Sequence, residues 1–150
     1  MRAFDFNRVF LALMAMAKAE ISLEETCAYA RQRVQFGKPL ARFQGVSFKL
    51  AEAATYIELG RWLCYRALWM KDKGLRNSKE SAMVKWWCYK KAFDIIHDCL
   101  LTHGHYGYSK DLPFEQRLRD VVGGEIGEGT AEIMKLVIAR EMLGREFLPY

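Results

Sequence analysis

Proline is scarce, with three in 150 residues, and strand-like alternation of polar and apolar residues is rare. Long stretches therefore lack a helix breaker, which excludes a mainly β architecture and points to a helical bundle. Cysteine is limited to Cys27, Cys64, Cys88 and Cys99, without a Cys-x-x-Cys pair. Each lies inside an apolar helical pattern, so the four read as buried free thiols of a reducing compartment rather than a disulfide framework. No block of five or six like charges occurs. The net charge of +5 is spread along the chain and densest at Lys90-Lys91 and Arg117/Arg119. That modest excess fits an acidic partner or an anionic ligand such as a phosphate-bearing cofactor, and no nucleic-acid motif accompanies it. The uncharged apolar run at residues 9–17 is about half what a membrane span needs. Asp5 precedes it and Glu20, Glu24 and Glu25 continue it as an amphipathic helix, so it is no signal peptide. These absences predict a cytoplasmic protein with no nucleic-acid or membrane partner. They also leave no internal repeat, low-complexity tract or interdomain linker.

What the chain does have is bulk: 51% apolar residues, including 4 Trp, 7 Tyr and 9 Phe, enough for the core of one domain. Apolar spacing predicts three long helices, over about 7–34, 43–73 and 77–102. Phe10, Met14, Ala17, Ile21 and Ala28 mark the apolar positions of the first. Phe48, Ala51, Ala54, Leu59, Trp62, Ala67 and Trp69 mark those of the second, and Met83, Trp86, Trp87, Phe93, Ile96 and Leu100 those of the third. Gly37, Lys38 and Pro39 break the first helix, Gly74 caps the second, and Asn77 or Ser78 caps the third. A loop, 103–108, and a short helix, 114–121, follow Leu100 in turn, and a last helix ends near Leu143. The expected fold is an all-α, up-down four-helix-bundle-like domain with long antiparallel helices and one short helix. Trp62, Trp69, Trp86 and Trp87 are expected in the core or in a subunit interface.

One stretch carries candidate chemistry: Gly124-Glu125-Ile126-Gly127-Glu128-Gly129-Thr130. It reads as a three-glycine loop with Glu128 between two of them and Thr130 as N-cap of a helix bearing Ile133, Met134, Val137, Ile138 and Met142. A carboxylate held on such a turn can point into a cavity, which suits a general base; a solvated Glu on an ordinary turn has the same pattern. His97, His103, His105 and Cys99 do not make a metal site, because His97 and Cys99, two apart on a helix, face different sides. The glycines at 104 and 107 follow no strand, so they are no dinucleotide fingerprint.

Taken in order, these residues resemble the C-terminal helical domain of the acyl-CoA dehydrogenase family, over essentially all 150 residues. The resemblance rests on Phe4-Asp5-Phe6-Asn7-Arg8 and on Arg33-Val34-Gln35-Phe36-Gly37-Lys38-Pro39-Leu40, similar to the family's R-x-x-F-G-x-x-L signature. Phe43-Gln44, Leu50-Ala51, Leu118-Arg119-Asp120, Ile126-Gly127-Glu128-Gly129-Thr130 and Ile138-Ala139-Arg140 follow in register. It implies an FAD-dependent α,β-desaturation of an acyl-CoA thioester. Glu128 would be the base, as in the medium-chain branch, because position 7, where the isovaleryl and long-chain branch keeps its acid, is Asn7. Arg8 would shape the base's surroundings. Arg33 and Phe36 would reach the FAD diphosphate and adenosine, of a neighbouring subunit, while Thr130 and Glu132 would contact FAD beside the base. The resemblance further implies a homo-oligomer, a dimer or tetramer, and an electron-transfer flavoprotein as acceptor.

Two positions depart from the family's pattern: Leu101 stands where Gln is common, and His105 where a glycine turn is usual. The N-terminal helical and middle β-domains of the family are absent from this sequence, so the isolated chain is expected to bind FAD poorly and not to turn over. The alternative is a non-catalytic helical oligomerisation module derived from the family. An oxidase or nitroalkane-type chemistry fits less well, since nitroalkane members carry Asp at the base position.

Overall fold

The computed structural model describes residues 2–147. Among them, helices α1 (Arg2–Gln32), α2 (Gln44–Asp72) and α3 (Ser78–His103) are the long ones, followed by α4 (His105–Tyr108), α5 (Phe114–Ile126) and α6 (Ala131–Leu143). The all-α expectation holds. Two-residue strands β1 (Val34–Gln35) and β2 (Lys38–Pro39) form a small antiparallel hairpin where the sequence predicts a helix break and an ordered loop. Phe36, with φ 50°, and Gly37, with φ 76°, make its turn.

Helix α3 is the axis of the domain and packs against α1, α2, α4, α5 and α6. Its buried stripe, Ser81, Lys85, Cys88, Ala92, Ile96, Cys99 and His103, advances by three and four residues. So does that of α1, which runs Asp5, Val9, Ala12, Met16, Ala19, Leu23, Thr26, Ala30, and that of α2, which runs Ala53, Ile57, Gly60, Cys64, Ala67. A three-four stripe is the geometry of near-parallel helix packing. Small side chains dominate it, which lets the axes approach closely. Gly60 illustrates this: a Cβ there would come within 2.5 Å of the Met16 sulfur.

The large apolar positions named for the first two helices lie mostly outside the core of the chain. Phe10, Met14 and Ile21 of α1 and Phe48, Leu59, Trp62 and Trp69 of α2 are exposed, Trp62 to 68%. Both helices carry two apolar stripes, one small and one large, and the small one faces the core. Helix α1 also begins earlier than expected, at Arg2, and ends at Gln32. Segment 105–108 is a helical turn rather than a loop.

The predicted short helix is longer than expected and runs to Ile126, so Gly123 and Gly124 are helical. The turn between α5 and α6 is therefore confined to residues 127–130. Gly127 N–H bonds Gly123 O at 3.0 Å to close α5, and Met134 N–H bonds Thr130 O at 3.0 Å to open α6.

Candidate active site

The turn between α5 and α6 holds Glu128 in the left-handed region, with φ 57°. For a non-glycine residue that conformation costs about 1–2 kcal/mol and persists only where its surroundings impose it. Gly129 follows at φ 111°, a backbone conformation that favours glycine. The Glu128 side chain is half-buried, and its Oε2 is closed off from solvent with no hydrogen-bond donor among the described residues.

The turn is tied to the start of α1. Arg8 Nε donates to the Glu128 carbonyl oxygen at 3.2 Å, and Arg8 Nη1 donates to Asp5 Oδ1 at 3.2 Å. The other oxygen of buried Asp5 accepts from Ser78 Oγ at 2.8 Å, at the first residue of α3. A continuous polar chain thus runs from the N-terminus of α3 through Asp5 and Arg8 to the backbone of the turn.

A second anchor comes from the middle of α3. Lys85, only 1% exposed, donates its ammonium to the Gly124 carbonyl in the last turn of α5. Its Nζ sits 4.6 Å from the centre of the Tyr89 ring, one turn along. Burial pushes the Lys85 ammonium down from its usual range, as does Arg8; Glu128 and Glu125 oppose this. Burial and the nearby Glu128 charge push the Tyr89 phenol up to about 12. A Cβ at Gly124 would overlap the Tyr89 ring, so glycine here admits the ring and the lysine to the helix backbone.

Glu128 opens onto a cleft of about 400 Å³ between α1, α3 and α5. Leu11, Met14, Ala15 and Val121 give it apolar walls, Gly123, Gly124 and Gly127 leave it without side chains on one side, and the Lys18–Asp120 ion pair marks its rim. Glu128 thus lines a trough whose walls are largely apolar.

The other predicted residues divide between two ends of the molecule. Thr130 occupies the N-cap position of α6, as predicted, but its side chain makes no capping bond. Two residues on, exposed Glu132 is held below the usual carboxylate range by its own backbone N–H and by the Thr130 hydroxyl. Arg33 and Phe36 lie at the far end of α1, roughly 35 Å from Arg8 at 1.5 Å per helical residue. Phe36 is 92% exposed at the tip of the hairpin, edge-on to Phe43 at 6.3 Å. Arg33 forms no ion pair among the described residues and borders a separate cleft with Tyr29, Thr102, Gly104, His105 and Tyr106. Leu101 and His105, the departures from the family pattern, are exposed beside it. The histidines have unrelated partners: His103 stacks on Tyr29 at 4.2 Å and bonds Cys99 O through Nδ1, while His97 stacks on Phe93 at 5.9 Å.

Lys85, Tyr89 and Asp5 are the site residues that sequence reasoning misses. Lys85 and Asp5 are charged residues on otherwise uncharged three-four stripes, but only burial identifies those stripes as the core-facing ones. No signal in the sequence marks Tyr89 as a neighbour of Gly124.

Fold and site together define an α-helical bundle that presents a carboxylate, on a strained turn at one end, to an apolar cleft. The chain belongs to the acyl-CoA dehydrogenase family: residues 1–143 match the model described as Acyl-CoA dehydrogenase, C-terminal domain. It is 42% identical over 144 residues to an acyl-CoA dehydrogenase of Bacillus subtilis, covering 96% of this chain and 38% of that protein. Butyryl-CoA dehydrogenase from Megasphaera elsdenii superposes with a TM-score of 0.92 at 36% identity, covering 95% of this chain and 37% of that one. A structure described as PigA with FAD and proline superposes with a TM-score of 0.91 at 29% identity, over 95% of this chain and 37% of that one. The chain thus spans a little over a third of the length of the relatives it matches.

Proposed function

We propose that this chain is the domain that supplies the general base, Glu128, to an FAD-dependent acyl-CoA dehydrogenase, together with part of the FAD site and the subunit interface. The observation that carries this reading is the strained Glu128 turn, with a solvent-excluded carboxylate oxygen beside an apolar cleft and no donor to it among the described residues. A carboxylate oxygen with no competing donor is free to accept a proton from carbon. The acyl chain would lie along Leu11, Met14 and Val121 with its α-carbon at Glu128. Arg8 fixes the backbone of the turn, so the carboxylate need not reorganise when it takes the proton.

The residues present fit FAD. Arg33 offers a planar cation, unpaired among the described residues and suited to a diphosphate. Phe36 offers an exposed ring suited to stacking, and Thr130 opens a helix whose first N–H groups take no capping bond from the Thr130 side chain. When bound, the flavin supplies the acceptor for the hydride leaving the β-carbon. Glu132 and Thr130 would hold its polar edge beside the base. The span between Arg33 and Glu128 supports two copies of the chain contributing to each cofactor, one through Glu128 and Thr130, the other through Arg33 and Phe36. The exposed stripe of Phe48, Leu59, Trp62 and Trp69 on α2 is apolar surface of the kind assembly covers. The full protein would act as a homo-oligomer, a dimer or tetramer, in the cytoplasm and pass electrons to an electron-transfer flavoprotein.

The test is Glu128→Gln in the full-length enzyme. Anaerobic addition of acyl-CoA is expected to leave the flavin oxidised while flavin content stays at the wild-type level. Flavin bleaching at the wild-type rate would remove Glu128 from the mechanism.

A further inference from the structure

We propose that the cleft beside Glu128 is shaped for an acyl-CoA whose acyl group carries an uncharged ring at the carbons next to the thioester, and that Gly123 and Gly127 set this preference. The proposal rests on the reading of Glu128 as the base and deepens it by naming the substrate class.

Asp120, Gly123, Gly124 and Gly127 recur at three- and four-residue spacing, so they share one face at the end of α5, and all four line the cleft. Three of the four have no side chain. Only Gly124 has a packing reason for that, since a Cβ there would overlap the Tyr89 ring. Gly123 is helical, and a Cβ there meets nothing within 4 Å among the described residues. Gly127, with φ −62° and ψ 145°, is extended backbone that any residue adopts. A Cβ at Gly127 would meet Gly123 O at 3.5 Å, an ordinary contact. Glycine in a helix is also unfavourable to the fold, because it loses the most backbone freedom on ordering. Neither conformation nor packing therefore calls for glycine at 123 or 127. What the two positions supply is space. Gly127 immediately precedes Glu128 and Gly123 lies one turn back, so that space adjoins the base.

Volume and walls suit a ring. The cleft holds about 400 Å³, whereas a cavity of about 150 Å³ is enough to take up benzene. A straight chain passing Glu128 along Leu11 and Met14 would leave the glycine side of the trough unfilled and forfeit contacts there. A ring at the reacting carbons fills it. Tyr89, seated against Gly124, also lines the cleft and offers that ring an aromatic surface. At the rim, Lys18 and Asp120 are paired with each other at 2.5 Å, so neither presents an unmatched charge to the acyl group. A carboxylate or ammonium on the ring would enter apolar walls without a partner, which favours an uncharged ring.

The experiment uses the flavin-loaded, full-length enzyme. It compares kcat/KM for cyclohexanecarbonyl-CoA with that for heptanoyl-CoA, which has the same number of carbons in a straight chain. Wild type is expected to favour the ring substrate by about tenfold or more. Gly123→Leu and Gly127→Leu place side-chain atoms in the free space, and each should lower the ratio of the two kcat/KM values by about tenfold or more. A wild type that does not favour the ring substrate would overturn the proposal. So would an unchanged ratio in both leucine variants at normal flavin content. If the leucine variants do not fold, Gly123→Ala and Gly127→Ala take their place: a lowered ratio supports the proposal and an unchanged ratio overturns it. Glu128→Gln run in parallel separates the two claims. Normal turnover there removes the base itself, whereas an inactive Glu128→Gln beside an unchanged ratio in the glycine variants removes only the ring preference.

Discussion

Arg8 and Glu128 stand 120 residues apart in the chain, and a hydrogen bond from the guanidinium Nε of one to the backbone carbonyl of the other joins them at 3.2 Å. The contact is to the backbone, so it fixes where the turn sits and leaves the Glu128 carboxylate free. Arg8→Ala would remove it and also strip Asp5, buried, of its only cationic partner among the described residues. The expected loss is about 1–3 kcal/mol of stability, read by urea unfolding of the chain. Arg8→Lys is expected to recover only part of it, since one ammonium cannot serve both acceptors in the planar geometry of the guanidinium.

The two adjacent glycines of α5 should respond oppositely to alanine. Gly123 is helical, and a Cβ there meets nothing within 4 Å. Gly123→Ala should therefore stabilise the chain by about 0.5–1 kcal/mol. At Gly124 the added carbon would collide with the Tyr89 ring, and Gly124→Ala should cost about 1–3 kcal/mol as α5 is pushed from α3. Paired thermal or urea unfolding curves check both signs at once.

Much of this architecture is legible in the sequence. Scarce proline and sustained three-four spacing lead to three long helices, and Gly37, Gly74 and the 127–130 segment mark their breaks or the turn that follows. The faces are not legible by the same means. Choosing the largest apolar residues selects Phe10, Met14, Trp62 and Trp69, which face outward, because period alone does not say which of two apolar stripes meets the core. Closeness of packing decides it, and it favours Ala12, Ala19, Gly60 and Cys64. The extent of α5 is hidden for a related reason: Gly123 and Gly124 look like loop residues, yet Gly124 is glycine to receive a side chain from α3. Glu128 and Arg8 stand out through family motifs that also fit a turn and a helix start. Lys85, in sequence, reads as one more lysine on a helix.

The thiols should divide by burial. Cys64, Cys88 and Cys99 are buried, and Cys27 only partly so. Desolvation pushes Cys99 up to about 11, and hydrogen bonding to Cys64 together with burial pushes Cys88 up further. Since the thiolate is the reactive form, a disulfide reagent at pH 8 should titrate Cys27 alone in the folded chain and all four thiols in denaturant. Rapid reaction of all four without denaturant would contradict the packing.

The Arg117–Glu25 pair, bidentate and joining α5 to α1, carries a specific pH signature. The Arg117 side-chain hydrogen bond holds Glu25 below the usual carboxylate range. A depressed folded value means stabilisation is present above the unfolded glutamate range and is lost as pH falls through the folded value. Because Glu25 is substantially exposed, Arg117→Gln should cost no more than about 1 kcal/mol near neutrality. The gap between variant and wild type should close toward acid pH in urea unfolding followed from pH 7 downward.

The most direct measurement of the central claim follows the proton itself. The full-length enzyme would be incubated anaerobically with a saturated acyl-CoA in D2O, without an electron acceptor, and the recovered acyl-CoA analysed for deuterium at the α-carbon. With Glu128 as base, wild type should incorporate deuterium there, and Glu128→Gln of equal flavin content should leave the α-carbon protonated. Equal incorporation by both would place the base elsewhere and contradict the account.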